Sequence, residues 1–326
     1  MPPSELPPGP PVPLPPRDGV SASCVALPHG PWLTVASFLA DRFPRIPADD
    51  WAARMARGEV LDEQGARVAP GDRQRAHRRL YYYRELPAEA PLPVQEDLVF
   101  ADEHLVVVDK PHFLPVVPGG RYLQETVLVR TRKRLGHDDL VAVHRLDRET
   151  AGLVLLAVRP QDRDAYHAIF RARDVDKVYE AIAPWRDDLV FPLVRRSRLV
   201  ERPDAFMQMV EVPGEPNAET AIDCLGRCGP GLAHYRLRPV TGQRHQLRVH
   251  MAALGLPIVG DRIYPTLQPY EEDRPDLTDP LQLLARRIAF TDPVTGAPRA
   301  FESRRVLSGS VFGHDAPSDK EELCDG

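Results

Sequence analysis

Two short apolar runs, Val141-Ala142-Val143 and Leu153-Val154-Leu155-Leu156-Ala157-Val158, enclose the polar stretch His144-Arg145-Leu146-Asp147-Arg148-Glu149-Thr150-Ala151-Gly152. Runs this short, rich in valine and leucine, suit buried strands better than helices. The stretch between them must then turn the chain at the rim of a sheet and leave its polar side chains outside the core. The pattern recurs along the chain. Leu105 to Val108, Lys177 to Ala183, Thr220 to Leu225 and His234 to Leu237 read as further strands, and Asp292-Pro293-Val294-Thr295-Gly296 as a hairpin. Helical spacing is rarer: Leu123 to Leu135, stopped by Gly136; Asp162 to Arg173, with Tyr166, Ile169 and Phe170 on one face; and His245 to Leu254, stopped by Gly255 and Pro257. Strands outnumber helices and most connections are short. The expected class is therefore α+β, a mixed, largely antiparallel central sheet with flanking helices.

A small α/β module, residues 21–90, precedes this body. Leu33, Val35, Phe38, Leu39 and Phe43 suit a short amphipathic helix, and a second begins at Ala48-Asp49-Asp50-Trp51 and ends near Gly58. Glu59 to Gly65 reads as a strand and turn. The basic strip Arg73, Arg75, His77, Arg78 and Arg79 runs into Tyr81-Tyr82-Tyr83. It either touches RNA or is an exposed turn leading into a half-buried strand. Proline governs the N-terminus: the chain holds 36 prolines, and Met1 to Pro16 lacks too many amide donors to join a helix or a ladder. Residues 1–20 are expected to be a disordered arm, residues 91–305 the main domain, and residues 306–326 an acidic disordered tail, where Asp315, Asp319, Glu321, Glu322 and Asp325 face Lys320 alone.

The N-terminal arm lacks the basic start and apolar core of a signal peptide, and no apolar run approaches the length of a bilayer span. Cys24, Cys224, Cys228 and Cys324 are too scattered for a disulfide framework or a zinc site. The expectation is a cytoplasmic monomer without a metal. The net charge of −5 is unevenly spread. Arg227, Arg236, Arg238, Arg244, Arg248 and Arg262 are opposed only by Asp261 within their segment, and Arg195, Arg196, Arg198 and Arg202 form a second cluster. Local fields of this kind attract phosphates, although an arginine-rich segment is also an ordinary solvated face.

Three segments carry candidate chemistry. Asp147 sits between Arg145 and Arg148, an arrangement that alone fits a self-neutralising loop. In Arg238 to His250, Thr241 and Gly242 read as a helix entry with free amides that favour an anion. Arg244 and Arg248 then share one face of the helix, with Arg248 a natural bidentate partner for Asp147 and Arg244 and His245 turned toward phosphates. The plainer reading is an amphipathic helix with an exposed basic face. Lys177 and Tyr179 lie on the same face of a strand, where the tyrosine can stack on a flat ring, carry a proton or serve as a core aromatic.

Taken together, these segments resemble the RluA-type family of pseudouridine synthases. The stretch His144 to Gly152 is similar to the family's aspartate signature, Lys177-Val178-Tyr179 to its Lys-x-Tyr element, and Arg238 to His250 to its Arg-Pro-x-Thr-Gly block. Lys110-Pro111 with Leu114-Pro115-Val116, and Gly260-Asp261-Arg262-Ile263-Tyr264, match two further elements. The match runs from about Phe100 to Tyr264, and the preceding module resembles a degenerate form of a small RNA-binding domain. Ala151, Gln243 and Arg244 depart from the family pattern.

The resemblance implies that residues 91–305 isomerise uridines of ribosomal or transfer RNA to pseudouridine on a flipped-out base, without a cofactor. Asp147 would act on the sugar, by attack or by removing its 2′ proton. Arg248 would hold that carboxylate charged, and Tyr179 would stack on the uracil and assist at carbon 5. His144, Arg145, Lys177, Arg244, His245 and Gln246 are expected to contact the RNA, with Arg145 filling the vacated stack. Three rival readings exist. A glycosidase would pair Asp147 with Glu149, but tryptophans are few and arginine-rich flanks suit phosphate. A kinase loop would need a Gly-rich loop and a metal-binding partner that are missing. An inactive RNA-binding or chaperone-like protein would not need Asp147, Tyr179 and Arg248 together.

Overall fold

The computed structural model describes residues 14–85, 89–203, 205, 208–268 and 277–308. The first 13 residues of the expected arm, and residues 309–326 of the expected tail, lie outside them. The chain divides into two compact units, Met1–Ala90 with Pro118–Gln124 and Val129–Asp138, and Pro91–Val117 with Glu125–Leu128 and Asp139–Gly326.

In the first unit, β1 (Ser23–Ala26), α1 (Val35–Arg42), α2 (Ala48–Ala56), β2 (Val60–Asp62) and β3 (Arg79–Tyr82) form a three-stranded sheet, order β1-β3-β2, with two helices. Thr34 caps α1 through a reciprocal box with Ser37. Val35, Phe38, Leu39, Trp51, Met55 and Leu80 make the core. Tyr81, Tyr82 and Tyr83 are all buried, so the basic strip leads into a strand covered on both faces. Residues 14–20, assigned above to a disordered arm, are folded. The Tyr83 hydroxyl donates to the Pro15 carbonyl, Arg17 lies 4.0 Å from the Tyr83 ring centroid, and Val20 packs with Leu123 and Val129. Segments 118–124 and 129–138 also belong to this unit, although the sequence assigned them to the main domain.

The second unit carries β4 (Asp97–Ala101), β5 (Leu105–Lys110), the start of α3 (Val127–Leu135), β6 (Val141–Ala142), β7 (Ala151–Ala157), α4 (Arg163–Ala172), β8 (Val175–Pro184), β9 (Leu193–Glu201), β10 (Met209–Val212), β11 (Ala218–Gly229), β12 (Leu232–Pro239), α5 (Gln246–Ala253), β13 (Leu283–Thr291) and β14 (Pro298–Glu302). Its sheet has the order β10-β9-β11-β12-β8-β13-β7-β5-β4, with β14 on β13 and β6 on β7. Of these pairings only β13 with β7 is parallel. The expected α+β class with a largely antiparallel sheet is what the chain adopts. β7 is buried at every residue, as its unbroken apolar run requires. At Gly152, φ is +112°, and a Cβ would stand 2.3 Å from the Ala285 carbonyl oxygen, so only glycine lets β13 approach there. One face of β8 and β12, with Ala181, Tyr235 and Leu237, packs on Leu247 and Met251 of α5, while Tyr166 of α4 packs beneath β5 and β7. Among the described residues no helix is long and apolar enough to cross a membrane.

Candidate active site

The loop between β6 and β7 is fixed from several sides before any ligand is considered. The Thr150 amide donates to the Asp147 carbonyl at 3.2 Å and closes the turn. Lys110, wholly buried at the end of β5, donates to the carbonyls of Arg148 and Pro111, both at 3.0 Å. Burial lowers the pKa of Lys110 to about 7. His112 meets the Glu149 carbonyl at 2.6 Å, and Arg148 pairs with Glu149 at 2.9 Å. The charges flanking Asp147 are thus partly absorbed by the loop, and the carboxylate itself points to a cavity.

That cavity, about 120 Å³, is walled by Arg145, Asp147, Lys177, Tyr179, His245, Gln246 and Arg248 together with further polar and apolar side chains. Pockets for drug-sized ligands measure roughly 300–1,000 Å³, so this one admits a single flat ring and not an extended chain. Tyr179 and Lys177 reach it from β8, on the same face as expected, because Tyr179 registers with Leu237 on one side and Ala285 on the other. The Lys177 ammonium donates to the Thr241 carbonyl at 3.4 Å, and its pKa is lowered by burial and by Arg173. Burial, with Asp147 nearby, raises the Tyr179 hydroxyl above the ordinary tyrosine range, leaving a neutral phenol.

Arg248 connects the loop to the rest of the unit. It is buried on α5; its Nη1 donates to Asp147 Oδ2 at 3.0 Å, while Nε and Nη2 form a fork to Asp261 at 2.8 and 2.7 Å. Asp261 Oδ1 also accepts the amides of Ile263 (2.8 Å) and Tyr264 (3.0 Å). Burial works against the arginine's charge, but the bonds and field of Asp261 and Asp147 outweigh it and raise the Arg248 pKa. The result is a permanent cation with one arm on each carboxylate. The second oxygen of Asp147, Oδ1, has no hydrogen-bond partner among the described residues; its nearest ion-pair neighbour is His245 Nε2 at 3.8 Å.

Several expectations need correction. His144 does not wall this cavity: its ring stacks on Phe170 (4.8 Å, 18°), and its Nε2 accepts the Leu155 amide at 3.2 Å. Burial drops its pKa to about 3, so it is a neutral prop for the loop. Thr241 and Gly242 do not open a helix with free amides. Thr241 Oγ1 donates to Gln246 Oε1 at 2.6 Å, the Gln243 amide donates to the same oxygen, and α5 starts only after His245, whose φ is 54°. Gln246 also donates to the Glu219 carbonyl and to Thr220 Oγ1, so its polar atoms are spent on shaping the turn. Arg244 precedes the helix and therefore does not share a face with Arg248; it pairs with Glu201 at 3.4 Å outside the cavity wall. Two arginines of the second cluster are matched on β9, Arg195 by Glu211 and Arg196 by Glu219.

Sequence reasoning missed the parts played by Asp261 and Tyr264. The only available signal was that both fall in the last resembled element, since nothing in spacing ties Asp261 to an arginine 13 residues earlier. Gly260 makes their turn possible, with φ +77° and a Cβ position only 2.5 Å from the Pro280 carbonyl oxygen.

Residues 104–253 match the family model described as RNA pseudouridylate synthase. The chain is 31% identical over 216 residues to the dual-specificity RNA pseudouridine synthase RluA of Haemophilus influenzae, covering 66% of this chain and 95% of the relative. It is 30% identical over 229 residues to an uncharacterized RNA pseudouridine synthase of Synechocystis, covering 70% and 78%. Among solved structures, human RNA pseudouridylate synthase domain containing 4 superposes with a TM-score of 0.50 at 26% identity, covering 66% of this chain and 90% of that one.

Proposed function

The chain belongs to the RluA-type family of RNA pseudouridine synthases, and from that premise we propose that Asp147 is the one carboxylate with which it acts on a uridine flipped out of folded ribosomal or transfer RNA. The enzyme isomerises uridines in RNA to pseudouridine. Uracil leaves its ribose through nitrogen 1 and returns through carbon 5, so no atom is gained or lost. The observation that carries the reading is the contact of Arg248 with Asp147 at 3.0 Å, which joins residues 101 positions apart at the wall of a ring-sized cavity. A carboxylate held by a buried cation on one oxygen and open on the other suits either attack on the sugar or removal of its 2′ proton.

Tyr179 stacks on the uracil in this reading and assists at carbon 5. Arg145, exposed two residues before the aspartate, enters the gap left in the RNA stack and offsets an unstacking cost of roughly a few kcal/mol. The test begins in a deletion strain, by mapping which pseudouridines are lost from total RNA. That RNA is then incubated with wild type and with Asp147→Ala. Wild type should restore the missing modification and the variant should not. Equal restoration by Asp147→Ala, or none by wild type, would overturn the assignment.

A further inference from the structure

His245 is a wall residue whose chemistry the reading above leaves unused. It sits in the left-handed region at φ 54°, a conformation uncommon for a side-chain-bearing residue and enriched at functional positions. Its Nδ1 lies 3.0 Å from the Tyr264 hydroxyl, and that hydroxyl accepts the Met209 amide at 2.7 Å. The phenol proton therefore needs an acceptor, and among the described residues the only one is His245 Nδ1. Satisfying every atom leaves the histidine proton on Nε2, as a donor directed into the cavity. Burial, against the opposing pull of Asp147, lowers the pKa of the ring and keeps it neutral.

Nε2 stands 3.8 Å from Asp147 Oδ1, too far for a direct hydrogen bond. An oxygen atom placed about 2.8 Å from both fits between them. That atom must accept from Nε2–H and donate to the carboxylate, which only a hydroxyl or a water can do. In a uridine inside an RNA strand the 3′ and 5′ oxygens are esterified, and the carbonyls of uracil cannot donate. One group remains. We infer that His245 and Asp147 together clasp the ribose 2′-hydroxyl of the target uridine, making His245 a specificity-determining residue that reads RNA against DNA at the reacting nucleotide. Tyr264 is a positioning residue that sets the tautomer. The same carboxylate would thereby be anchored within two bonds of the sugar carbons it acts on, a placement that deepens, and rests on, the pseudouridine synthase reading.

The test uses a synthetic RNA spanning the mapped uridine, made with 2′-hydroxyl, 2′-deoxy or 2′-fluoro ribose at that nucleotide alone. Single-turnover conversion is measured with wild type, His245→Asn, His245→Gln and Tyr264→Phe. Asparagine tolerates the left-handed backbone but is too short to put a donor at the Nε2 position, whereas glutamine reaches it. Wild type should convert the 2′-deoxy RNA about a hundredfold more slowly than the ribose form, because it loses both the neutral bond from Nε2 and the charge-assisted bond to Asp147. In His245→Asn that ratio should fall to about tenfold, the Asp147 bond remaining, and His245→Gln should restore most of it. Tyr264→Phe leaves position 245 untouched, so it carries the same test if His245→Asn does not fold, and its ratio should fall to about thirtyfold. A wild-type ratio near one, or ratios in His245→Asn and Tyr264→Phe equal to that of wild type, would overturn the inference. Failure of wild type on the all-ribose RNA is a separate result: it would remove the pseudouridine reading and take the inference with it.

Discussion

Replacing Asp261 by asparagine should uncouple the site without touching any residue that meets RNA. The carboxylate accepts four bonds: Oδ1 takes Arg248 Nη2 and the amides of Ile263 and Tyr264, while Oδ2 takes Arg248 Nε. An asparagine oxygen in the Oδ1 position can keep three of them. Its NH₂ group then faces Arg248 Nε at 2.8 Å, donor against donor, and half of the guanidinium's counter-charge is gone from a place where its side chain is 2% exposed. Breaking a buried ion pair costs about 3–5 kcal/mol, and because Asp147 still holds one arm the lower end, about 3 kcal/mol, applies. For a domain of this size each kcal/mol moves Tm by roughly 2–4 °C, so thermal unfolding should shift down by about 6–12 °C. Pseudouridine formation on the mapped RNA, assayed well below the variant's Tm, should fall by at least about tenfold, as Asp147 loses its rigid mount. A Tm within about 2 °C of wild type would refute the view that Asp261 is what makes a buried Arg248 tolerable.

Three further outcomes are expected. His144→Phe should keep the stack on Phe170 but leave the Leu155 amide without its acceptor, costing about 1–3 kcal/mol in urea unfolding with RNA affinity unchanged by filter binding; a loss of affinity at unchanged stability would return His144 to the RNA surface. Burial holds the folded pKa of Lys110 at about 7, against 10.5 for an ordinary lysine. The unfolded chain therefore holds the extra proton between these values, and the penalty of burying the cation is greatest below pH 7 and relieved as pH rises. Wild type should accordingly gain on Lys110→Met by up to about 1.4 kcal/mol per pH unit between roughly pH 7.5 and 9.5, and parallel stability curves would dismiss this. Arg145→Ala should lower single-turnover conversion about tenfold or more at an unchanged Tm; full activity would exclude it from the flipped-base step.

How far the fold could be read depended on whether a side chain's partner was local. The β6-to-β7 turn, the hairpin at Asp292 and the faces of α1 and α2 were legible because short-range pattern decides them. β9 was not recognised as a strand: Arg195, Arg196 and Arg198 hide its alternation, and the glutamates that neutralise two of them, Glu211 and Glu219, come from neighbouring strands. The start of α5 was placed within one residue, but the turn before it was misjudged. Gln246 reaches back to gather Thr241, Gln243 and Glu219, a set of bonds with no periodic signature. In the site, Asp147 and Arg248 could be paired from charge alone. The supporting role of His144 could not be read, because its partner is a main-chain amide 11 residues on.

The position of β13 between β7 and β8 governs when this enzyme can exist at all. β7 and β8 are close in sequence, yet the strand that separates and bonds them is made of residues 283–291. A ribosome delivering the chain from its N-terminus must therefore release residues through 291 before the loop carrying Asp147 and the strand carrying Tyr179 are spaced correctly. Until then the nascent polypeptide holds the parts of the site but no competence to modify RNA.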